Sequence, residues 1–169
     1  NVFAVHGVNA AGQVELRQPR VSRAKLGELI ASLPPGVVGM EACTGAHHWA
    51  RLFMSHGHTV RLMAPKFVAP YRLSGKRGKN DAADAAAICE AASRPHMRFV
   101  PVKSIEQQSL LCVHRLREGV KADRTACINR IRGLLLEFGL AFAQGPRELQ
   151  QVLSEVLEDA SNELGALAR

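Results

Sequence analysis

The chain has 169 residues and a formal net charge of +7 at pH 7, with a sequence pI near 9.8. Hydrophobic residues make up 47% and charged residues 22%, which excludes a disordered polyelectrolyte and allows one proper core, or one core plus an appendage. The positive excess points to an anionic partner, nucleic acid first, with a merely solvated basic surface as the other reading; no apolar run approaches the ~20 residues of a membrane helix.

In chain order, residues 2–8 alternate as a strand, Asn9-Ala10-Ala11-Gly12 turns, and residues 13–17 return as a second strand. Ser22 is an N-cap for a helix spaced through Leu26, Leu29, Ile30 and Leu33, which Pro34-Pro35-Gly36 ends. Residues 37–43 form an apolar run broken only by Glu41, the pattern of a central buried strand. Thr44-Gly45 leads into a helix over 46–56 with Trp49, Leu52 and Phe53 inward. His56-Gly57-His58 turns the chain into a strand over 59–64. Residues 65–79, with Pro65, Pro70 and Gly75 and no period, read as a loop. A helix over 80–93 stops at Arg94-Pro95, and 97–102 is extended. Ser104 caps a long helix running to Phe138, and Gly139 and Gly145-Pro146 separate it from a last helix at 147–160. Val113, Val120, Cys127 and Leu134 recur every seven residues, but Arg117 and Arg124 interrupt the companion seam, so the coiled-coil signal is partial. Strands alternating with helices after a hairpin predict an α/β fold.

The cysteines at 43, 89, 112 and 127 form no Cys-x-x-Cys pattern, which fits a reducing cytoplasm. The N-terminus shows neither an initiator Met nor a signal-peptide pattern. The seven histidines form no defensible metal site; adjacent His47 and His48 diverge on a helix, and His56 and His58 flank a turn glycine, so surface or loop roles are expected. Ser74-Gly75-Lys76 lacks the glycine spacing of a Walker loop.

Three acids carry the chemistry. A charged Glu within a buried strand is costly unless paired or bound to metal, so Glu41 is expected at the strand's C-terminal end. Asp81 and Asp84 share one helix face at i and i+3. Their convergence with Glu41, within roughly 10 Å, would suit Mg²⁺ held against a phosphodiester. Bland alternatives stand beside this: Glu41 on a half-exposed strand, and Asn80 or Asp81 serving as the N-cap with acids in the first turn that suit the helix dipole. Arg61, Lys66, Arg72, Lys76, Arg77 and Lys79 fall in a stretch without Asp or Glu, the sharper basic signal. Arg115, Arg117 and Arg124 add a second basic surface on the long helix, where acids balance part of the charge.

The segments Val38-Gly39-Met40-Glu41-Ala42-Cys43, Gly57-His58-Thr59-Val60-Arg61-Leu62-Met63, Lys79-Asn80-Asp81-Ala82-Ala83-Asp84-Ala85 and Arg98-Phe99-Val100-Pro101-Val102-Lys103 occur in an order that resembles the N-terminal region of DEDD-type insertion-sequence transposases. The resemblance covers nearly the whole chain. It implies a ribonuclease H-like (RuvC-like) domain over 1–102 whose first strand is missing, and a helical, partly coiled-coil dimerisation region over 103–169. It also implies divalent metal, Mg²⁺ or Mn²⁺, on an acidic tetrad. Glu41 matches the tetrad's glutamate, and Asp81 and Asp84 match its last two aspartates. The first aspartate is expected just upstream of Asn1, and neither Asn9 nor Glu15 replaces it. The family further implies DNA as substrate, a bridge RNA as guide, and a C-terminal serine-bearing domain that is absent from these residues. Separately, the apolar excess of 104–138 predicts a homodimer or higher homo-oligomer, with an intramolecular helical hairpin folded onto the α/β domain as the other reading. The expected parent is a Mg-dependent DNA recombinase that moves an insertion sequence, with this chain alone inactive.

Other functions share these residues. A Holliday-junction-type nuclease of the same fold would use a metal-activated water. A non-catalytic module that binds nucleic acid and dimerises would bind without metal. A sugar-kinase-like relative is disfavoured by the absence of glycine-rich phosphate loops.

Overall fold

The computed structural model describes residues 2–72 and 80–167. They form two compact units, Asn1–Lys103 and Ser104–Arg169. The first is mixed α/β and the second is helical.

The first unit opens with an antiparallel hairpin of β1 (Val2–Val8) and β2 (Val14–Ser22). Asn9 makes the turn: its Oδ1 accepts from the backbone N–H of Ala11 and Gln13, both at 3.0 Å, and Gly12 takes the left-handed φ of 79°. β2 is longer than the 13–17 expected from alternation. Pairing resumes at Phe3↔Val21 beyond an irregularity that absorbs Pro19, which has no N–H to contribute to a ladder. Ser22 caps α1 (Arg23–Ala31), its Oγ accepting from Lys25 N. Val21, Leu26 and Ile30 pack with Trp49 and Phe53 of α2 (Ala46–Ser55), and the Trp49 ring meets that of Phe3 edge-on at 5.6 Å.

The second sheet has the order β3-β4-β5, built from β3 (Val37–Glu41), β4 (Thr59–Met63) and β5 (Phe99–Val100). β3 and β4 are parallel and joined through α2, whereas β5 runs antiparallel to β4. β4 is therefore the central strand, with Leu62 and Met63 fully buried, and β3 is an edge strand. The apolar run at 37–43 reflects coverage of both faces of β3 rather than pairing on both edges. One face lies against α4 (Asp81–Ser93), and Val38 and Met40 pack into the Trp49 cluster. The segment expected to be a loop holds a single turn of helix, α3 (Pro65–Val68), and a 3₁₀ turn, Ala69–Tyr71. Elements this short leave no readable period in a sequence.

His58 departs from the surface role expected of it. It is buried: Nδ1 accepts from Gly36 N–H at 3.3 Å, and Nε2–H donates to the Ile30 carbonyl at 2.9 Å. Both ring nitrogens thus tie the end of α1 and the start of β3 to the start of β4. His47 is also engaged. Its Nδ1 faces the Lys103 N–H at 3.2 Å and its Nε2 faces Lys103 Nζ at 3.0 Å, so a neutral ring accepts at one nitrogen only. Desolvation first, then the charges of Lys103 and Arg51, hold its pKa below the usual histidine value.

In the second unit, Ser104 and Gln107 form a capping box that starts α5 (Ile105–Leu136). α6 (Pro146–Glu158) begins with proline in its first turn. Leu135, Leu149 and Leu164 form the buried centre, with Ile128, Ile131 and Leu153 around it. The Arg132 guanidinium donates to the Ala143 and Gly145 carbonyls and fastens the connection. At 32 residues α5 is about 48 Å long, whereas α6, at 13, is about 20 Å. The shorter helix covers only the C-terminal part of α5, and Leu110, Val113, Leu116 and Val120 remain exposed. The four cysteines are free thiols. Among the described residues no helix is long and apolar enough to cross a membrane.

Candidate active site

β3 ends on Glu41, and Asp81 and Asp84 lie in the first turn of α4. The two elements approach closely because residue 39 is glycine. A Cβ built there would lie 2.6 Å from Ala92 Cβ and 3.4 Å from the Ile88 side chain. The small side chain of Ala92 lets the helix settle on the strand, and Ala87 and Ala91 pack in one cluster with Met63 and Val68. Of the two candidate caps, Asn80 is the one used: its Oδ1 accepts from Ala83 N at 2.8 Å. Asp81 is thereby free of the capping role, and both aspartates are first-turn acids that interact favourably with the helix dipole.

Glu41 and Asp84 meet at one cation. Arg72 Nη2 donates to Glu41 Oε1 at 2.9 Å, and Arg72 Nε lies 3.0 Å from Asp84 Oδ1. The first contact is a hydrogen bond. The second is an ion pair whose N–H is not aligned on the oxygen, so Nε is buried without a hydrogen-bond acceptor. Side-chain exposure of 34% for Arg72, 22% for Glu41 and 28% for Asp84 leaves the cluster partly shielded from water. Asp81 sits one helical turn earlier on the same face, is exposed, and makes no ion pair among the described residues. The acids therefore meet as a pair rather than as a closed triad. No group of three His, Cys, Asp or Glu is disposed around a metal position among the described residues.

The basic residues separate into several roles. Arg72 faces the acids rather than open solvent. Arg61 Nη1 donates to the Ala92 carbonyl at 2.7 Å, and its guanidinium lies over the Phe99 ring, so it braces the C-terminal end of α4 against β4 and β5. Lys66 is exposed, its Nζ lying 5.0 Å from the centroid of the Phe67 ring. Lys76, Arg77 and Lys79 lie outside the described residues. On α5, Arg115 and Arg124 are exposed and Arg117 pairs with Glu118 at 2.9 Å. Sequence reasoning missed Arg94 and Arg98, which lie beside the α3 segment; the clustered cations of Arg94-Pro95-His96-Met97-Arg98 were the available signal.

The profile of a family described as transposase, the DEDD type of IS110 insertion sequences, matches residues 7–139. The chain is 44% identical over 169 residues, its whole length, to the transposase for insertion sequence element IS1111A of Coxiella burnetii, covering 45% of that protein. It is 41% identical over 145 residues to the transposase for insertion sequence element IS1328 of Yersinia enterocolitica, covering 86% of this chain and 42% of that one. It is also 47% identical over 161 residues to y4pF/y4sB of Sinorhizobium fredii, covering 95% and 41% respectively. The chain thus spans less than half the length of these relatives. No solved structure matches it. With the profile aligned across both β3 and α4, where the acids meet, the chain belongs to the DEDD transposase family of IS110-type insertion sequences.

Proposed function

We propose that the α/β unit is the metal-carboxylate part of a transposase, of ribonuclease H-like architecture, that breaks and rejoins DNA phosphodiesters. The observation that carries the reading is the convergence of Glu41 and Asp84, from separate elements, on a single guanidinium. Two partly buried carboxylates that share one guanidinium are favoured in their charged form by the cation between them. Oxygen donors of this kind also suit Mg²⁺ or Mn²⁺, which accept one or two carboxylates and keep several waters. Glu41 and Asp84 would hold such an ion, with Asp81 one turn away as a further ligand. Bound there, it would offset charge on the phosphate oxygens. The chain's own cations hold the DNA backbone and set its register. Family membership supports DNA as the substrate, and the reading takes a guide RNA as a further partner.

The test is Mn²⁺ binding by the 169-residue chain, read by water-proton relaxation. Glu41→Ala with Asp84→Asn is expected to weaken binding at least tenfold. Equal binding by the double variant and the parent chain would sink the assignment.

The reading includes self-association through α5, since joining two DNA ends calls for two sites and a symmetric pair supplies them. The exposed line Leu110, Val113, Leu116 and Val120 supports it. Light scattering at micromolar concentration is expected to give a dimer mass that Val113→Lys with Val120→Lys halves. A monomer mass for the unaltered chain would retire the dimer.

A further inference from the structure

We infer that the first unit carries a subsite for an unpaired nucleotide, in a cleft between the α3 segment and the connection from α4 to β5. The inference rests on the reading that this chain handles nucleic acid, and it names the form of nucleic acid that the cleft takes.

The cleft has a volume of about 470 Å³. One wall carries Lys66, Phe67 and Tyr71, and the other carries Arg94, His96 and Arg98. No acid lines it among the described residues. Arg94 pairs with Glu90 outside the lining, whereas Lys66 and Arg98 are in no ion pair among the described residues. The cations are organised around rings: the Arg94 guanidinium lies 5.8 Å from the Tyr71 centroid, and Lys66 Nζ lies 5.0 Å from that of Phe67. Tyr71 and Phe67 are half-buried, their backbones held beside buried Val68, and Tyr71 packs on the α4 cluster.

This chemistry selects among anionic ligands. A duplex backbone presents phosphates only, for which a flat array of lysines and arginines suffices. Two rings and a guanidinium near one of them, lining a common cleft, fit a flat base, which stacks on aromatic faces and on guanidinium planes once it has left a duplex. Lys66 and Arg98 then hold the flanking phosphates. The cleft is linked to the acids through neighbours in the chain. Tyr71 immediately precedes Arg72, and Arg94 follows the end of the 13-residue helix whose first turn carries Asp84. A strand with a base in the cleft would lie within about 20 Å, one length of that helix, of the Glu41–Asp84 pair.

The experiment uses the 169-residue chain and short fluorescent oligonucleotides, read by anisotropy across a salt series. The probes are single-stranded DNA, single-stranded RNA of the same sequence, the DNA duplex, and a DNA strand of equal charge whose central positions are abasic. The base-bearing strands are expected to bind about tenfold or more tightly than the abasic strand. Phe67→Leu with Tyr71→Leu is expected to erase that preference with the salt slope kept. Lys66→Ala with Arg98→Ala is expected to keep the preference and flatten the slope. The tighter of the DNA and RNA arms identifies the source of the nucleotide. Equal binding of base-bearing and abasic strands by the unaltered protein overturns the subsite and leaves nucleic-acid binding standing. That comparison needs no variant to fold. Absence of binding to every probe overturns both the subsite and the reading beneath it.

Discussion

Gly39→Ala is expected to destabilise the first unit by about 2–3 kcal/mol, the upper part of the range for forcing an extra carbon into a packed contact. The new Cβ would meet Ala92 Cβ at 2.6 Å. Neither atom has a torsion that can swing it away, so strand and helix must part. Backbone strain does not enter, since Gly39 is not among the glycines at positive φ. Urea denaturation monitored through Trp49, which lies in the adjoining core, reads the loss as a lower midpoint. Adding Ala92→Gly should recover part of it, because that change removes the opposing carbon. A single variant as stable as the parent would show that α4 does not press on β3, and the route by which Asp84 reaches Glu41 would have to be redrawn.

Arg72→Ala is expected to turn a stable site into a metal-dependent one. Removing the guanidinium leaves Glu41 and Asp84 facing each other without a counter-ion. The cost is about 1–2 kcal/mol in EDTA, between the values for exposed and buried pairs because every partner is partly solvated. Mn²⁺ should restore the urea midpoint of the variant while moving that of the parent chain little. Affinity for Mn²⁺ should rise about tenfold, since no resident cation has to be displaced, equivalent to ~1.4 kcal/mol. Arg72→Lys keeps the charge but not the two-armed reach, and should fall between the two. Unchanged Mn²⁺ affinity in Arg72→Ala, with an equal stability loss in EDTA and in metal, would mean that the arginine is a structural brace unconnected with cation binding.

Much of the local structure was legible because it is set by neighbours in the chain. Ser22 and Ser104 are caps recognisable from the apolar spacing that follows them, and the Ser104–Gln107 pair closes a box within one turn. Asn9 and Gly12 announce a turn, and the run of 59–64 matches β4 within a residue. The position of Glu41 at the end of its strand follows from the cost of burying a charge, and the shared face of Asp81 and Asp84 from helical geometry alone.

The remainder depended on contacts between segments distant in the chain, which carry no local period. An apolar run does not distinguish a strand paired on both edges from one covered on both faces, so β3 lies at the edge where the centre was expected. Arg72 looked like one more cation in a basic stretch; only the folding of the 3₁₀ turn beside β3 and α4 brings it between two acids. His58 looked like a turn residue until Gly36 and Ile30 closed around its ring. Charge, caps and periodicity therefore determined which elements form and that an anionic partner is to be expected. Which acids meet, which cation lies between them and where rings and arginines share a cleft were decided by tertiary packing, because side-chain partnership depends on distances in space that residue spacing does not encode.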